Sequence, residues 1–322
     1  MTSELWIKLA AIFVVVAIGW GAGRTRLLGG GDTVRAVSNL AFYVFTPALL
    51  FRATARVDFS TLPWSTLLAF FGPALGWLLI VYAISRRCAA ASAEPAMPAV
   101  RALSATFGNT LQLGLPFVAA LYGDAGLSIH VIIISLHAVT LLSLTTVLAE
   151  LDIASAAHRA GQGAALLATL GQTVKNTVVH PVILPVLAGF AWNLAGLPLW
   201  PLLDGSLLML GSAVVPICLV LIGLSLAHYD VKGAVPIALT LTVAKMLCMP
   251  LIVLLVGYGV FDQTGLPLAV IVMAAALPVG SNPLLFAQNY RTQEAQTTAA
   301  IVISTLAFVV IAPMWLMVLG RV

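Results

Sequence analysis

The chain has 322 residues, of which 61% are hydrophobic and only 8% charged, with a mean hydropathy of +1.09. A soluble domain carries about a quarter charged residues, so this composition cannot cover a water-facing surface and excludes a soluble globular protein. The net charge of +4 is better explained by basic loops facing the cytoplasm than by affinity for nucleic acid.

At about 20 mainly apolar residues per bilayer crossing, the chain has room for roughly ten spans. The apolar runs place them at Leu5–Gly23, Val34–Thr54, Leu62–Ser85, Ala99–Tyr122, Leu127–Leu148, Val178–Leu194, Leu203–Ala227, Val235–Val260, Leu266–Gln288 and Ala295–Leu319. The first is read as a retained span, since the stronger basic pair, Arg24 and Arg26, follows it and no small-residue cleavage pattern is seen. A polar stretch, Glu150 to Lys175, separates spans 5 and 6.

Loop charge sets the expected orientation. Arg24, Arg26, Arg35, Arg86, Arg87, Arg101, Arg159, Lys175, Lys232 and Arg291 fall after odd-numbered spans, against Lys8, Arg52, Arg56 and Arg321 on the other side. Positive charge marks the cytoplasmic side, so both termini are expected outside.

Pro47 and Pro216, Tyr122 and Tyr290, Pro116 and Pro283, and Ser135 and Ser304 are each separated by about 168 residues. Each half then holds five spans, and an odd number inverts the second half against the first. The expected fold class is an all-α polytopic membrane protein with ten transmembrane helices in two inverted five-helix repeats, a device of secondary transporters.

Spans 4 and 9 carry the distinctive chemistry. Span 4 contains Phe107-Gly-Asn-Thr-Leu-Gln-Leu-Gly-Leu-Pro116, and span 9 contains Ala276-Leu-Pro278-Val-Gly-Ser-Asn-Pro283. Proline removes a backbone donor and crowds the preceding turn. In lipid the freed backbone groups need partners within the protein or in a wet cavity. Two such breaks at corresponding positions are the best sequence pointer to a transporter's site. Half-helix N-termini there suit an anionic ligand. The candidate substrate-binding residues are Asn109, Thr110, Gln112, Ser281 and Asn282, with Asn39 of span 2 as a residue that either lines the site or cross-links helices. Pro116, Pro278 and Pro283 are the candidate crossing prolines.

Lys245 lies more than ten residues from either end of span 8, too deep to snorkel, and intramembrane charges face a partner or a cavity. Two readings stay open: a counter-charge for an anionic substrate, or a donor to carbonyls freed at a break. His137 is the candidate for proton coupling because imidazole titrates near neutrality; the alternative is a bond across helices. His130, nearer the outer end, is the weaker candidate. Glu150, at a span end, is expected to be solvated. Trp6, Trp20, Trp64, Trp77, Trp200 and Trp315 fall mostly near span ends and read as interface anchors.

Cys88, Cys218 and Cys248 read as small hydrophobes rather than a disulfide or metal set. No nucleotide-binding loop, metal-spaced cluster or catalytic constellation is visible, so neither an enzyme nor a metal or organic cofactor is expected. The coupling ion, H⁺ or Na⁺, is not specified by the residues.

The stretches Asn109-Thr-Leu-Gln-Leu-Gly-Leu-Pro116 with Tyr122-Gly123, and Ala276-Leu-Pro-Val-Gly-Ser-Asn-Pro-Leu-Leu-Phe-Ala-Gln-Asn-Tyr290, resemble the fourth and ninth spans of the auxin efflux carrier family. Lys245-Met-Leu-Cys-Met-Pro250 resembles a pattern in its eighth, and Phe45-Thr-Pro-Ala-Leu-Leu-Phe51 resembles the second span of its bacterial members. The resemblance covers the whole chain in order. It implies a fold similar to the bile acid symporters, with a scaffold of spans 1, 2, 6 and 7 and a mobile core in which spans 4 and 9 cross. Laid on this chain, it gives scaffold helices in 1–58 and 177–230, core helices in 59–150 and 231–322, and a cytoplasmic loop in 151–176. It implies a homodimer through the scaffold, and it matches Asn109 to an asparagine that contacts the carboxylate of auxin in plant carriers. Span 2 lacks the plant-type polar sequence and the central loop is short, as in bacterial members associated with small dicarboxylates.

The expected function is therefore an elevator-type carrier of a small organic anion, such as malonate or malate, in a bacterial inner membrane. The alternatives are a carrier of a monocarboxylate, auxin-like or amino-acid-like solute, or a membrane sensor that binds without transport.

Overall fold

A computed structural model describes residues 3–25, 36–37, 39–56, 63–89, 93–159, 183–228 and 234–321. The central polar stretch from residue 160 onward, and Arg26, Arg35, Lys175 and Lys232 of the orientation set, lie outside the described residues. Thirteen α-helices are named here in chain order. They are α1 (Ser3–Arg24), α2 (Thr46–Ala55), α3 (Trp64–Arg87), α4 (Met97–Ser104), α5 (Leu115–Arg159), α6 (Ile183–Leu194), α7 (Pro201–Ser212), α8 (Val214–His228), α9 (Val235–Val243), α10 (Met249–Gly259), α11 (Gly265–Ala276), α12 (Asn282–Asn289) and α13 (Glu294–Leu319).

Five stretches are long and apolar enough to cross a membrane: Trp64–Arg87, Thr110–Ala156, Pro201–Leu224, Val235–Gly259 and Glu294–Leu319. Shorter apolar helices cover Ala10–Arg24, Leu184–Leu194 and Gly265–Ala276. Among the described residues the only strand-like pairing is one isolated bridge. The chain is a polytopic membrane protein, and its described residues are helical apart from short connections.

Prolines shape the long helices. Three π-helical turns, Ala41–Phe45, Thr110–Gly114 and Ala244–Cys248, each end two residues before a proline: Pro47, Pro116 and Pro250. A proline clashes with the carbonyl four residues back and offers it no donor. Widening the preceding turn relieves that clash. Met246, four residues before Pro250, shows the remedy for its carbonyl: Trp315 Nε1 donates to it at 2.9 Å. Trp315 is consequently buried, which corrects its reading as an interface anchor; Trp20, Trp64 and Trp200 are exposed. α5 is two helices that meet at Gly123, where spans 4 and 5 join; its φ of 60° and ψ of −157° are not helical and lie where side chains are disfavoured.

The residues fall into two compact units: 1–64, 110–136 and 179–229 form the first, and 65–109, 137–178 and 230–322 the second. Within the first, α1 packs on α8 through glycines. A Cβ at Gly19 would strike the carbonyl oxygen of Val220, and one at Gly223 that of Val16. Small residues permit such close backbone approach where no hydrophobic driving force separates helix from lipid. Gly189 of α6 lies likewise against Thr54 and Phe51 of α2. Arg52 Nε meets Asp204 Oδ1 at 2.8 Å and Arg56 Nη2 meets Asp204 Oδ2 at 2.6 Å, tying α2 to α7. Leu50, Leu111, Leu115, Val131, Ile134 and Val186 form an apolar core.

The second unit packs α9 against α13 through small side chains, Ala238, Ala299 and Ala300. α10 lies on α11 where Gly257 admits Leu268 and Ile271. Ala105 and Val279, one from each broken span, join the α9–α13 cluster.

Candidate functional site

Both expected breaks are present in the second unit as unwound backbone. α4 ends at Ser104 and α11 at Ala276, and each is followed by a short extended stretch. Those stretches pair antiparallel, with Gly108 bridged to Val279. Asn109 N–H donates to the Pro278 carbonyl at 2.8 Å, and Gly280 N–H donates to the Phe107 carbonyl at 3.0 Å. Two helix ends that would expose backbone in lipid thus satisfy one another. A third donor at the bridge, Val279 N–H, is accepted by Ser304 Oγ at 3.0 Å, and that hydroxyl donates to the Ile301 carbonyl at 3.1 Å.

Glycine is required at Gly280, where a Cβ would lie 2.9 Å from the Gly108 carbonyl oxygen and 3.0 Å from Phe107 Cδ1, so the paired stretch leaves no room for a side chain there. A Cβ on Gly108 would crowd Lys245 Nζ at 3.2 Å.

Lys245 is fully buried, and its Nζ donates to the carbonyl of Ala275 in the last turn of α11. A cation at a helix C-terminus complements the dipole and satisfies a carbonyl that has no partner in the helix. Of the two readings, the structure gives Lys245 the backbone-donor role. The π-turn containing Lys245 and the following Pro250 set its depth and direction in the helix.

Ser281 and Asn282 open α12. Leu284 N–H and Leu285 N–H donate to the Ser281 carbonyl at 3.1 and 3.2 Å. Among the described residues no acceptor engages the backbone N–H of Ser281 or of Asn282. Both side chains are half-buried. Pro283 follows in the first turn, where a missing N–H costs nothing. Pro278 contributes its carbonyl to the bridge, so both span 9 prolines frame the break. Asn109 is buried beside them.

His137 is buried in the second unit between aromatic rings, 4.3 Å from the Phe107 ring centroid and 6.1 Å from that of Phe70. The Phe107 carbonyl accepts from Gly280 N–H beside the bridge, so the imidazole packs on a residue of the crossing.

In the first unit, Thr110 opens the π-turn that contains Gln112, with Pro116 just beyond it. The Thr110 carbonyl accepts from Nε2 of His130 at 2.8 Å. A carbonyl only accepts, so Nε2 carries the proton. His130, read as the weaker histidine, therefore has a definite structural role. Asn39, by contrast, is exposed on its helix. Glu150, expected to be solvated, is buried and accepts from Tyr290 Oη at 2.7 Å. Burial and that bond raise the Tyr290 phenol well above its ordinary range, which keeps the donating proton in place.

Ser304, Gly108 and Gly280 act at the crossing without having been singled out as site residues. Ser304 had appeared only as a repeat-matched position, and the glycines only within the two motifs. Among the described residues no group of acidic, histidine and cysteine side chains is placed to hold a metal ion.

A polytopic helical protein with two discontinuous spans paired backbone to backbone belongs to the architecture of membrane transporters. The profile of the family described as "Membrane transport protein" matches residues 5–316. The chain belongs to that family, the one its spans 4 and 9 resemble. Among its relatives is the uncharacterized transporter YfdV of Escherichia coli K12, 28% identical over 320 residues and covering 96% of each chain. An uncharacterized transporter of Methanothermobacter thermautotrophicus is 25% identical over 312 residues, also with 96% of each covered. A lysosomal cholesterol signaling protein of Mus musculus is 24% identical over 318 residues, which make up 94% of this chain and 36% of that protein.

Proposed function

We propose that the chain is a secondary transporter of a small organic anion, a dicarboxylate such as malonate or malate. The observation that carries this reading is the N-terminus of α12 at the crossing. Two adjacent backbone N–H groups, at Ser281 and Asn282, lack protein acceptors among the described residues and lie at the positive end of a half-helix. Such an end favours a carboxylate. Asn109 on the paired stretch supplies a buried amide from the opposite break. Lys245 adds a positive field to the same unit, although its hydrogen bond goes to backbone.

In this reading the two breaks belong to inverted repeats, spans 3 to 5 and 8 to 10 carry the site, and spans 1, 2, 6 and 7 form the scaffold against which the site slides. The scaffold is proposed to dimerise, and α7 offers it Leu202, Leu208 and Met209, all exposed. The membrane is a bacterial inner membrane with both termini outside. H⁺ and Na⁺ remain the two coupling ions to test, with His137 the titratable group behind the crossing.

Counterflow in proteoliposomes tests the proposal, with vesicles preloaded with malonate, malate, monocarboxylates or indole-3-acetate. The expected outcome is accumulation of one labelled anion, lost in Asn109→Ala while the variant still elutes as folded protein. Unchanged apparent affinity in Asn109→Ala contradicts the site. A second reading, a membrane solute sensor, is favoured by one observation: the mouse relative is named a signaling protein. Saturable binding without exchange of any anion would select it.

A further inference from the structure

α12 has a second end. It begins at Asn282 beside the crossing and stops at Asn289. Beyond it, Tyr290 N–H donates to the Phe286 carbonyl at 3.1 Å and Thr292 N–H to the Ala287 carbonyl at 3.0 Å. The second bond is the six-residue closure of a Schellman cap, and the residue it encloses normally is glycine in the left-handed region. Here that residue is Arg291, with φ of 51°. Two positions later Gln293 leads into α13 with φ of 59° and no side-chain cap, although residues at that position ordinarily are extended. Two of three consecutive residues, neither of them glycine, are therefore left-handed.

Strain of this kind persists only where the surroundings over-determine it, and it gathers at functional sites. The surroundings here are three tethers from three segments. Tyr290 Oη donates to Glu150 Oε1 on α5 at 2.7 Å. Thr292 Oγ1 donates to Glu94 Oε2, just ahead of α4, at 3.3 Å. Arg101 Nε on α4 donates to Gln293 Oε1 at 2.9 Å.

Glu150 stands apart chemically. It is 9% exposed, and among the described residues its one partner is a phenol rather than a cation. Burying a carboxylate is costly unless it is paired. Asp152, two residues on, has the ordinary arrangement: Arg86 Nε at 3.1 Å together with Tyr82 Oη at 2.7 Å. The Phe286 ring lies 4.6 Å from that of Tyr290, joining the tether to the buried side of α12.

We infer that Glu150 is a positioning residue for transport. Through Tyr290 it holds the strained turn 290–293, and the turn holds α12 so that Ser281 and Asn282 stay seated at the crossing. When the tether breaks, the turn relaxes, α12 shifts and its N-terminus becomes accessible. The inference rests on the proposed function for what the crossing binds, but its mechanical content does not need a substrate.

The test uses full-length protein in proteoliposomes, with Cys88, Cys218 and Cys248 replaced by serine and Ser281→Cys as reporter. The rate of modification by a membrane-impermeant maleimide is followed without any solute, and total reactivity is taken from denatured samples. Tyr290→Phe is expected to raise the rate about fivefold, the scale set by one hydrogen bond. Tyr82→Phe removes the same phenol–carboxylate chemistry away from the turn and is expected to change nothing. Glu150→Gln keeps the Oε1 acceptor and stays near the parent, whereas Glu150→Ala follows Tyr290→Phe. Adding Arg291→Gly to Tyr290→Phe removes the left-handed strain and restores the slow rate. Equal effects of the two tyrosine variants, no effect of Tyr290→Phe, or no rescue by Arg291→Gly overturns the inference. A tether that responds as expected in protein that exchanges no organic anion keeps the inference and removes the substrate assignment instead.

Discussion

Lys245 shows how much one residue contributes to the crossing. Its ammonium donates to Ala275 at the open end of α11, and the same side chain limits how near Gly108 can approach. Lys245→Ala leaves the Ala275 carbonyl without its donor and opens a void, so it should cost about 1–3 kcal/mol of stability. Thermal unfolding in detergent measures this, and Lys245→Arg, which keeps a donor, should lose less than Lys245→Ala. Trp315→Phe makes a smaller test of the same principle: the Met246 carbonyl loses its indole donor, for a loss of about 1 kcal/mol. The charge of Lys245 was legible in the sequence because its depth in an apolar run can be counted. Its partner was not, since Ala275 has no side-chain signal and becomes an acceptor only where α11 stops. Trp315 misled for the same reason, because its partner is a backbone atom exposed by a proline on another helix.

At the scale of elements, the two breaks could be read from Gly, Pro and amide residues inside apolar runs, and they are where those residues put them. How the broken ends satisfy each other could not be read, because a bridge between Gly108 and Val279 depends on packing between α4 and α11 rather than on local pattern. The glycines carry that packing. Gly280→Ala drives a methyl into the backbone of Gly108 and the ring of Phe107, neither of which can rotate away. The expected loss is about 1–3 kcal/mol, seen as a lower unfolding temperature. Gly72→Ala, on α3 with nothing within 4 Å of its added methyl, should be neutral or slightly stabilising. Gly123 predicts a different signature. Its φ of 60° with ψ of −157° makes Gly123→Ala strained whatever space surrounds it, by about 1–3 kcal/mol.

For the whole molecule, the described helices account for a multi-pass membrane protein, and orientation rests on loop charge. Cys88 is the exposed cysteine, following Arg86 and Arg87 at the end of α3, whereas Cys218 is buried. An impermeant maleimide should therefore label Cys88 from the cytoplasmic face alone: in inside-out vesicles and not in intact cells. Labelling in intact cells would invert the proposed orientation. Composition made the membrane class plain, since so few charges leave no alternative solvent. The relation of the two units, by contrast, has no counterpart in composition or periodicity, and their division even passes between Asn109 and Thr110, within one motif.

The π-turns ahead of Pro47, Pro116 and Pro250 leave a mark on tolerance to length change. A π-turn holds one residue more than the α-turn it replaces, so deleting a single residue there closes the helix as a regular α-turn rather than breaking it. The extra residue is spent inside one full turn, so shortening the Ala244–Cys248 turn by one leaves α10 facing as before, with Leu254, 8% exposed, turned inward and Leu255, 63% exposed, turned outward. In regular α-helix the same deletion would swing everything beyond it by about 100°. Variants one residue shorter at these turns should therefore keep the packing of the helix that follows and lose only the direction of side chains within the turn, Lys245 among them.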